Sequence, residues 1–437
     1  MLSAVRSRVL ALPRDPYTGV DYNVGFTVTH YDLDLTYRVE PNLLQGDATL
    51  TIRVADEDGI DKLTLDMALA PRRVDAKKLA KYRHSGGKLR ISFSETLPEG
   101  TEFELRIRYG GTPRPLRTPW GEIGWEETDS GSLVASQPCG APSWFPCDDT
   151  PCEKATYDIT ITADSPFTVV SNGKLVSRKQ SGSMTRWHYR TEHPMATYLA
   201  TVMVGEFTEF KLGKHIRAWA PSALKARVEE SFAQQHEMLS FFEDTFGSYP
   251  FEDYKVVITE DELEIPLEAQ GLSIFGANHA TQSYERLIAH ELAHQWFGNS
   301  VGIGEWSDIW LNEGFACYSE WLWAEHAHGT PVATSARSHY TVLSRKKQDL
   351  VLADPGSQDM FDDRVYKRGA LTLHALRTLL GDAAFFRAVR AYVKECRHNV
   401  VEPADLRSAL HAVGDADAID AVWAAWVDAP ELPKFPG

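Results

Sequence analysis

Hydrophobic periodicity changes once along this 437-residue chain, and that change constrains the fold more than any other feature. In the first half, apolar side chains recur at every second position. Tyr31, Leu33, Leu35 and Tyr37 alternate with polar residues, and Ala48, Leu50, Ile52 and Val54 do the same. The pattern returns at Leu89, Ile91 and Phe93, at Phe103, Leu105, Ile107 and Tyr109, at Tyr157, Ile159 and Ile161, and at Trp187 and Tyr189. A period of two places one face of a strand on a core and the other in water. Gly86-Gly87 and Pro98-Glu99-Gly100 separate such runs and read as turns. The apolar run 198–204 closes the series. Residues 1–207 are therefore expected to form a large, mostly antiparallel β domain.

Beyond that point the spacing becomes helical. Phe232, Leu239, Phe242 and Phe246 fit one face of a helix over 222–246, and 255–258 reads as a strand. Helices are expected over 284–297, 314–327, 370–380 and 383–393, with another starting at Pro403 and a last one over 417–426, stopped by Pro430. Residues 208–437 thus read as a mainly helical α+β domain around a small sheet. A chain of this length accommodates two domains.

Sixty-one acidic against 45 basic side chains give a formal charge of −16. That balance supplies no basic surface for nucleic acid and disfavours anionic membranes. The apolar run 9–12 is too short for a signal-peptide core, and no later stretch reaches the roughly 18 apolar residues of a spanning helix. A cytoplasmic location is the expectation. Five cysteines, Cys139, Cys147, Cys152, Cys317 and Cys396, are too few and too irregular for a disulfide framework. The first three lie close together but lack CxxC spacing, so they read as ordinary thiols rather than a metal knot.

The chemistry concentrates in His290-Glu291-Leu292-Ala293-His294. HExxH on a helix places both imidazoles on one face, one turn apart, where their nitrogens converge on a single ion. Glu291 stands beside the first ligand, within reach of a water on that ion. Glu313 follows nineteen residues after His294, far enough for one helix to end and another to return antiparallel. Two histidines and one carboxylate suit zinc, one ion per chain, with a fourth position left for water. Glu320 lies two turns beyond Glu313 on the same face and is placed to bond the free ring nitrogen of a ligand histidine.

The run from His290 to Asn299, together with Trp310-Leu311-Asn312-Glu313-Gly314-Phe315-Ala316, resembles the M1 family of zinc aminopeptidases, the gluzincins. Phe145-Pro146-Cys147-Asp148-Asp149, Met195-Ala196-Thr197-Tyr198-Leu199 and Val204-Gly205-Glu206-Phe207 resemble further segments of that family, so the likeness covers most of the chain. It implies a saddle-like N-terminal β domain followed by a thermolysin-like catalytic domain. Long members add a β sandwich and a helical superhelix, whereas this chain ends near the close of the catalytic domain. The resemblance thus implies a short, two-domain member with a more open site.

The resemblance also assigns roles. Glu268, in Ile265-Pro266-Leu267-Glu268-Ala269, falls on the glutamate that binds the α-amine of a substrate, although the family's flanking Gly, Met and Asn are changed. Gln137, in Ser136-Gln137-Pro138-Cys139, is the nearest match to a second amine-binding residue, with Cys139 as the other occupant of that place. Tyr366, in Val365-Tyr366-Lys367-Arg368-Gly369, matches the tyrosine that donates a hydrogen bond to the developing oxyanion, and Arg368 stands where a lysine is usual. The implied activity is removal of N-terminal residues from peptides with a free amine by attack of metal-activated water. Three alternatives share the site: a zinc endopeptidase, a bifunctional epoxide hydrolase and aminopeptidase, and an inactive scaffold of the same fold. An acidic rim of Glu262, Glu264 and Glu268 is the non-catalytic reading of the last motif.

Overall fold

The computed structural model describes residues 13–436, so the run 9–12 lies outside the described residues. Alternating apolar positions become the inner faces of a seven-stranded sheet. Its spatial order is Lys174–Ser181, Met184–Ala196, Lys154–Asp164, Phe26–Arg38, Leu43–Val54, Glu102–Gly111 and Ala70–Ala76. Leu33, Leu35 and Tyr37 are fully buried, as are Ala48, Leu50 and Ile52 on the neighbouring strand. Gly86 and Gly87 both take positive φ, at +61° and +70°, and close the hairpin between Leu79–Ser85 and Lys88–Leu97. Two such residues match the right-handed twist of the strands they join. One pairing departs from the antiparallel expectation: Phe26–Arg38 runs parallel to Lys154–Asp164. The run 198–204 is also not continuous strand, because Thr197–Leu199 forms a tight turn before the strand Val202–Gly205.

A second sheet groups Thr208–Lys211, Ile216–Ala220, Tyr254–Ile258, Leu272–Phe275 and Leu267–Ala269. Helices α1 to α9 accompany it: Lys225–Ser231, Gln235–Phe246, Glu285–Ala293, Trp310–His328, Val332–Leu343, Asp363–Leu380, Asp382–Glu395, Pro403–His411 and Ala416–Trp423. A β-rich first part is thus followed by a helical α+β part. Among the described residues, no helix is long and apolar enough to cross a membrane.

Five helix boundaries differ from the pattern reading, one of them the start of α6, which lies at Asp363 rather than 370 and so takes in Tyr366. The 222–246 segment breaks after Ser231. The break leaves Phe232 on Phe275, at 5.1 Å between centroids, and turns α2 so that Phe242 meets Trp296 at 6.1 Å. Helix α3 stops at Ala293, because the chain folds over and the His294 imidazole engages the Phe297 carbonyl at 3.0 Å. Helix α4 begins at Trp310 rather than 314, which puts Glu313 in its first turn, where the helix dipole favours a carboxylate. The last helix ends at Trp423 and passes into a wider turn over Ala424–Asp428. Helix α5 has no counterpart in the sequence reading, since only Val332, Ala336 and Leu343 mark its buried face.

Helices α4 and α6 cross with their backbones touching. A Cβ on Gly314 would lie 2.9 Å from the Cα of Gly369, and a Cβ on Gly369 would lie 2.8 Å from the Cα of Gly314. Glu313 and Tyr366 flank this crossing. Arg368, one residue before Gly369, turns away from it. Its buried guanidinium donates to six backbone carbonyls, those of Leu350, Ala425, Trp426, Ala429, Pro430 and Glu431. Burial without a carboxylate partner in bonding distance pulls this arginine down to about 10.

Gly369→Ala should force α4 and α6 apart. The expected loss is about 1–3 kcal/mol of unfolding free energy, read by urea or thermal denaturation. An unchanged midpoint would mean that the two helices have room to separate.

Candidate active site

The HExxH pattern lies on α3 and the conserved-spacing carboxylate on the antiparallel start of α4, so the two helices bring His290, His294 and Glu313 together. All three are buried, and their ligand atoms lie within 4.8 Å of one another. His290 Nε2 is 3.3 Å from Glu313 Oε2, and His294 Nε2 is 3.5 Å from the same oxygen. The edge of a tetrahedron with zinc–ligand bonds near 2.0–2.1 Å is about 3.3–3.4 Å, so these separations fit one zinc ion. A second set, Glu268, Glu291 and His294, also falls within 4.8 Å. The first set fits a resident ion better, because the other ring nitrogen of each histidine in it is held by a separate acceptor.

Those acceptors fix the rings. His290 Nδ1 donates to Glu320 Oε1 at 2.8 Å, and Arg286 bonds the other oxygen of Glu320 at 3.3 Å. His294 Nδ1 donates to the Phe297 carbonyl at 3.0 Å. Both Nε2 atoms are thereby turned toward Glu313, the arrangement by which outer partners orient metal-binding imidazoles. Glu291 is 3% exposed, and its Oε2 has no protein partner although it is buried, so a polar group remains to be satisfied inside the pocket.

Glu268 enters from the edge strand Leu267–Ala269 and is half-buried beside Glu291 and His294, whereas Glu262 and Glu264 are exposed. Gln137 donates from Nε2 to Glu268 Oε1 at 2.7 Å. The charged groups that act on the Cys139 thiol are instead Asp149, Asp15, Asp66 and Lys88. Tyr366, from the first turn of α6, stacks against His290 with centroids 6.0 Å apart and planes at 17°. Lys367 reaches Cys317 Sγ at 3.3 Å and helps hold the charge of Glu320.

Two residues escaped the motif reading. Gln295 and Asn299 donate to the Ala269 carbonyl at 3.2 and 2.9 Å, and Gln295 Oε1 accepts from the Gly271 N–H at 2.8 Å. They tie the chain after the HExxH helix to the strand that carries Glu268. Both lie within the quoted family segment, but their acceptors are backbone atoms.

Electrostatically the pocket is a buried set of opposed charges. Burial disfavours charge on His290, yet hydrogen bonds to Glu313 and Glu320 more than offset it and hold the imidazole up at about 9. His294 is likewise held at about 10, against burial, by Glu268 and Glu313. Glu313 is pulled below the carboxylate range by His294 and His290 in spite of burial. Burial pushes Glu291 up, with Glu268 adding repulsion. Burial also raises Glu268.

Comparisons with known proteins agree with this geometry. Residues 27–199 match the model of the peptidase M1 N-terminal domain, and residues 230–426 match the peptidase family M1 domain. A glutamate-to-alanine mutant of an M1 zinc metallopeptidase from Deinococcus radiodurans superposes with a TM-score of 0.85 at 30% identity, over 97% of this chain and 99% of that one. Aminopeptidase 2 of Candida albicans is 24% identical over 431 residues, which is 89% of this chain and 46% of that protein. Aminopeptidase Q of Felis catus is 28% identical over 86% of this chain and 44% of its own. The chain thus spans under half the length of these curated relatives. Yeast LTA4 hydrolase shares the fold, with a TM-score of 0.80 at 22% identity. The chain belongs to the M1 family of metallopeptidases. Membership implies a catalytic zinc, and the buried His/Glu set fits it.

In the metal-free protein both imidazoles carry charge near neutral pH, and metal ligation requires them neutral. Zinc uptake should therefore release more than one proton per ion, and affinity should fall as pH is lowered. Calorimetry in two buffers of different ionisation enthalpy measures the release. Uptake without proton release would show that the histidines are neutral before the metal arrives.

Proposed function

We propose that this protein is a zinc aminopeptidase that removes N-terminal residues from peptides. The observation that carries the reading is the half-buried Glu268 carboxylate, within 4.8 Å of Glu291 and His294 and bonded by Gln137. A fixed carboxylate beside the reaction centre anchors an ammonium group and leaves no room for chain beyond it, so only the first peptide bond reaches the chemistry. An endopeptidase has no need of such a group. The relatives support the reading: those cited above from Candida albicans and Felis catus are aminopeptidases, and one structure of the Deinococcus radiodurans mutant holds a Tyr-Ser-Ala substrate.

His290, His294 and Glu313 would hold the zinc, with Glu320 fixing the His290 ring. When bound, zinc supplies Lewis-acid polarisation of the scissile carbonyl and eases ionisation of the attacking water. Glu291 takes the proton of that water and delivers it to the leaving amine. Its unsatisfied, buried oxygen suits the first task, and a carboxyl raised by burial suits the second. Tyr366 donates its phenolic hydrogen bond to the oxyanion as the carbonyl becomes tetrahedral. Glu268 and Gln137 orient the substrate, the carboxylate by charge and the amide by holding that carboxylate in place.

In the same reading the chain divides into 1–207 and 208–437. The strand Thr208–Lys211 pairs with Ile216–Ala220 of the second sheet, while Val202–Gly205 still pairs with Thr168–Ser171, which supports a boundary between them. All five cysteines are free, consistent with peptide catabolism in a reducing, cytoplasmic setting.

Glu291→Gln should retain zinc and lose about a hundredfold to ten-thousandfold in kcat. Glu268→Gln should raise KM for free-amine peptides far more than it changes zinc content. The parent enzyme should leave N-acetylated peptides intact in a mass-spectrometric digest. Comparable cleavage of acetylated and free peptides would overturn the exopeptidase reading.

A further inference from the structure

A cavity of about 500 Å³ lies where two strands of the N-terminal sheet, Lys174–Ser181 and Met184–Ala196, face two strands of the second sheet, Ile216–Ala220 and Tyr254–Ile258. Its size is that of a small-molecule site, about 300–1,000 Å³. None of His290, Glu291, His294, Glu313 or Tyr366 lines it, so it is separate from the metal pocket.

The wall combines two kinds of group. Trp187, Tyr189, Trp219 and Phe251 give it flat apolar surface. Among its charged residues, Arg217 pairs with Glu209, whereas Glu252 and Asp253 meet only imidazoles, those of His193 and His215, which balance them only when protonated. Lys174, Arg178 and Lys255 have no carboxylate within 4.0 Å among the described residues, and the remaining acid of the wall, Glu192, is exposed. Arg178 lies over the Trp187 ring at 4.3 Å, its guanidinium plane otherwise open.

Lys255 is the unusual member. It is 7% exposed, and its ammonium donates to the carbonyls of Ser171 and Gly173 and sits 4.8 Å from the Tyr189 ring centroid. Carbonyls and a ring face supply partial charge only. Burial pulls this lysine down to about 7, and Asp253 and Glu252 repay little of that. A buried ammonium whose close partners are carbonyls holds its proton weakly, and an anion that reaches it would restore that charge.

We infer that this cavity is a binding site for a small organic anion with a flat apolar body, an aromatic carboxylate or sulfonate, whose charge is met by Lys255 and Arg178 and whose ring lies against the aromatic wall. Arg178 and Lys255, each set against an aromatic ring of the wall, select the sign, and the four aromatic residues select the body. The site adjoins the catalytic pocket from behind. Gln270 and Gly271 in its wall form the turn that follows the strand of Glu268, and Gly271 is bonded to Gln295, the neighbour of His294.

The test is calorimetric titration of the zinc-loaded full chain with naphthalene-2-sulfonate, chosen because a sulfonate is a poor zinc ligand. One saturable site per chain is expected. Arg178→Gln and Lys255→Met should each weaken binding about tenfold, the worth of one charge-assisted hydrogen bond or ion contact, with zinc content unchanged. 2-Naphthalenemethanol, which keeps the rings and drops the charge, should also bind about tenfold more weakly. Arg178 is exposed, so its variant carries the test even where Lys255→Met fails to fold. No saturable binding at millimolar sulfonate, undiminished binding in the folded variants, or equal binding of the neutral alcohol would each overturn the proposal. None of these measurements depends on peptidase activity.

Discussion

Four carboxylates and two imidazoles share one pocket with almost no access to bulk water, and the rest of the structure answers to that crowding. Glu268, Glu291, Glu313 and Glu320 cannot all be charged in such a place without compensation. Two protonated histidines provide part of it in the metal-free protein, and Arg286 and Lys367 brace Glu320 from outside. A divalent cation replaces two protons with two charges held at a single point. The site is therefore built for an ion, and taking one up exchanges protons for metal.

Rigidity around the pocket comes from contacts that are not themselves chemical. The crossing of α4 and α6 at Gly314 and Gly369 sets the distance between the helix of Glu313 and the helix of Tyr366. Gln295 and Asn299 join the HExxH helix to the strand of Glu268. Three separate elements thus deliver the carboxylate of Glu313, the phenol of Tyr366 and the carboxylate of Glu268 to one volume, one junction being a backbone crossing and the other a pair of side-chain amides on a single carbonyl. Placing a site on regular elements in this way holds its geometry more closely than loops would.

What could be read without coordinates follows from which regularities a sequence encodes. His290 and His294 were legible because four residues is one helical turn, and Glu313 because nineteen residues are enough for one helix to end and another to return. Alternation exposed the faces of the first sheet but not strand direction, since period two is the same for parallel and antiparallel neighbours. Hence the parallel pairing of Phe26–Arg38 with Lys154–Asp164 had no signature. The break after Ser231 was hidden for a similar reason: Phe232 and Phe242 keep a helical spacing across it. The Phe297 and Ala269 carbonyls, which position His294, Gln295 and Asn299, belong to the main chain and leave no residue-type mark. Arg368 read as a substitution near Tyr366, and its side chain points elsewhere.

Where that guanidinium points has a consequence for handling the protein. It gathers carbonyls from residues 425–431 onto the same helix that carries Tyr366, so that segment serves as the counter-surface of a cation in the second turn of α6. Loosening of residues 425–431 would strip five of the six acceptors from this charge and leave it the Leu350 carbonyl. The damage would then register first at the tyrosine, two residues away along the helix, well before the β-rich part of the molecule loosened.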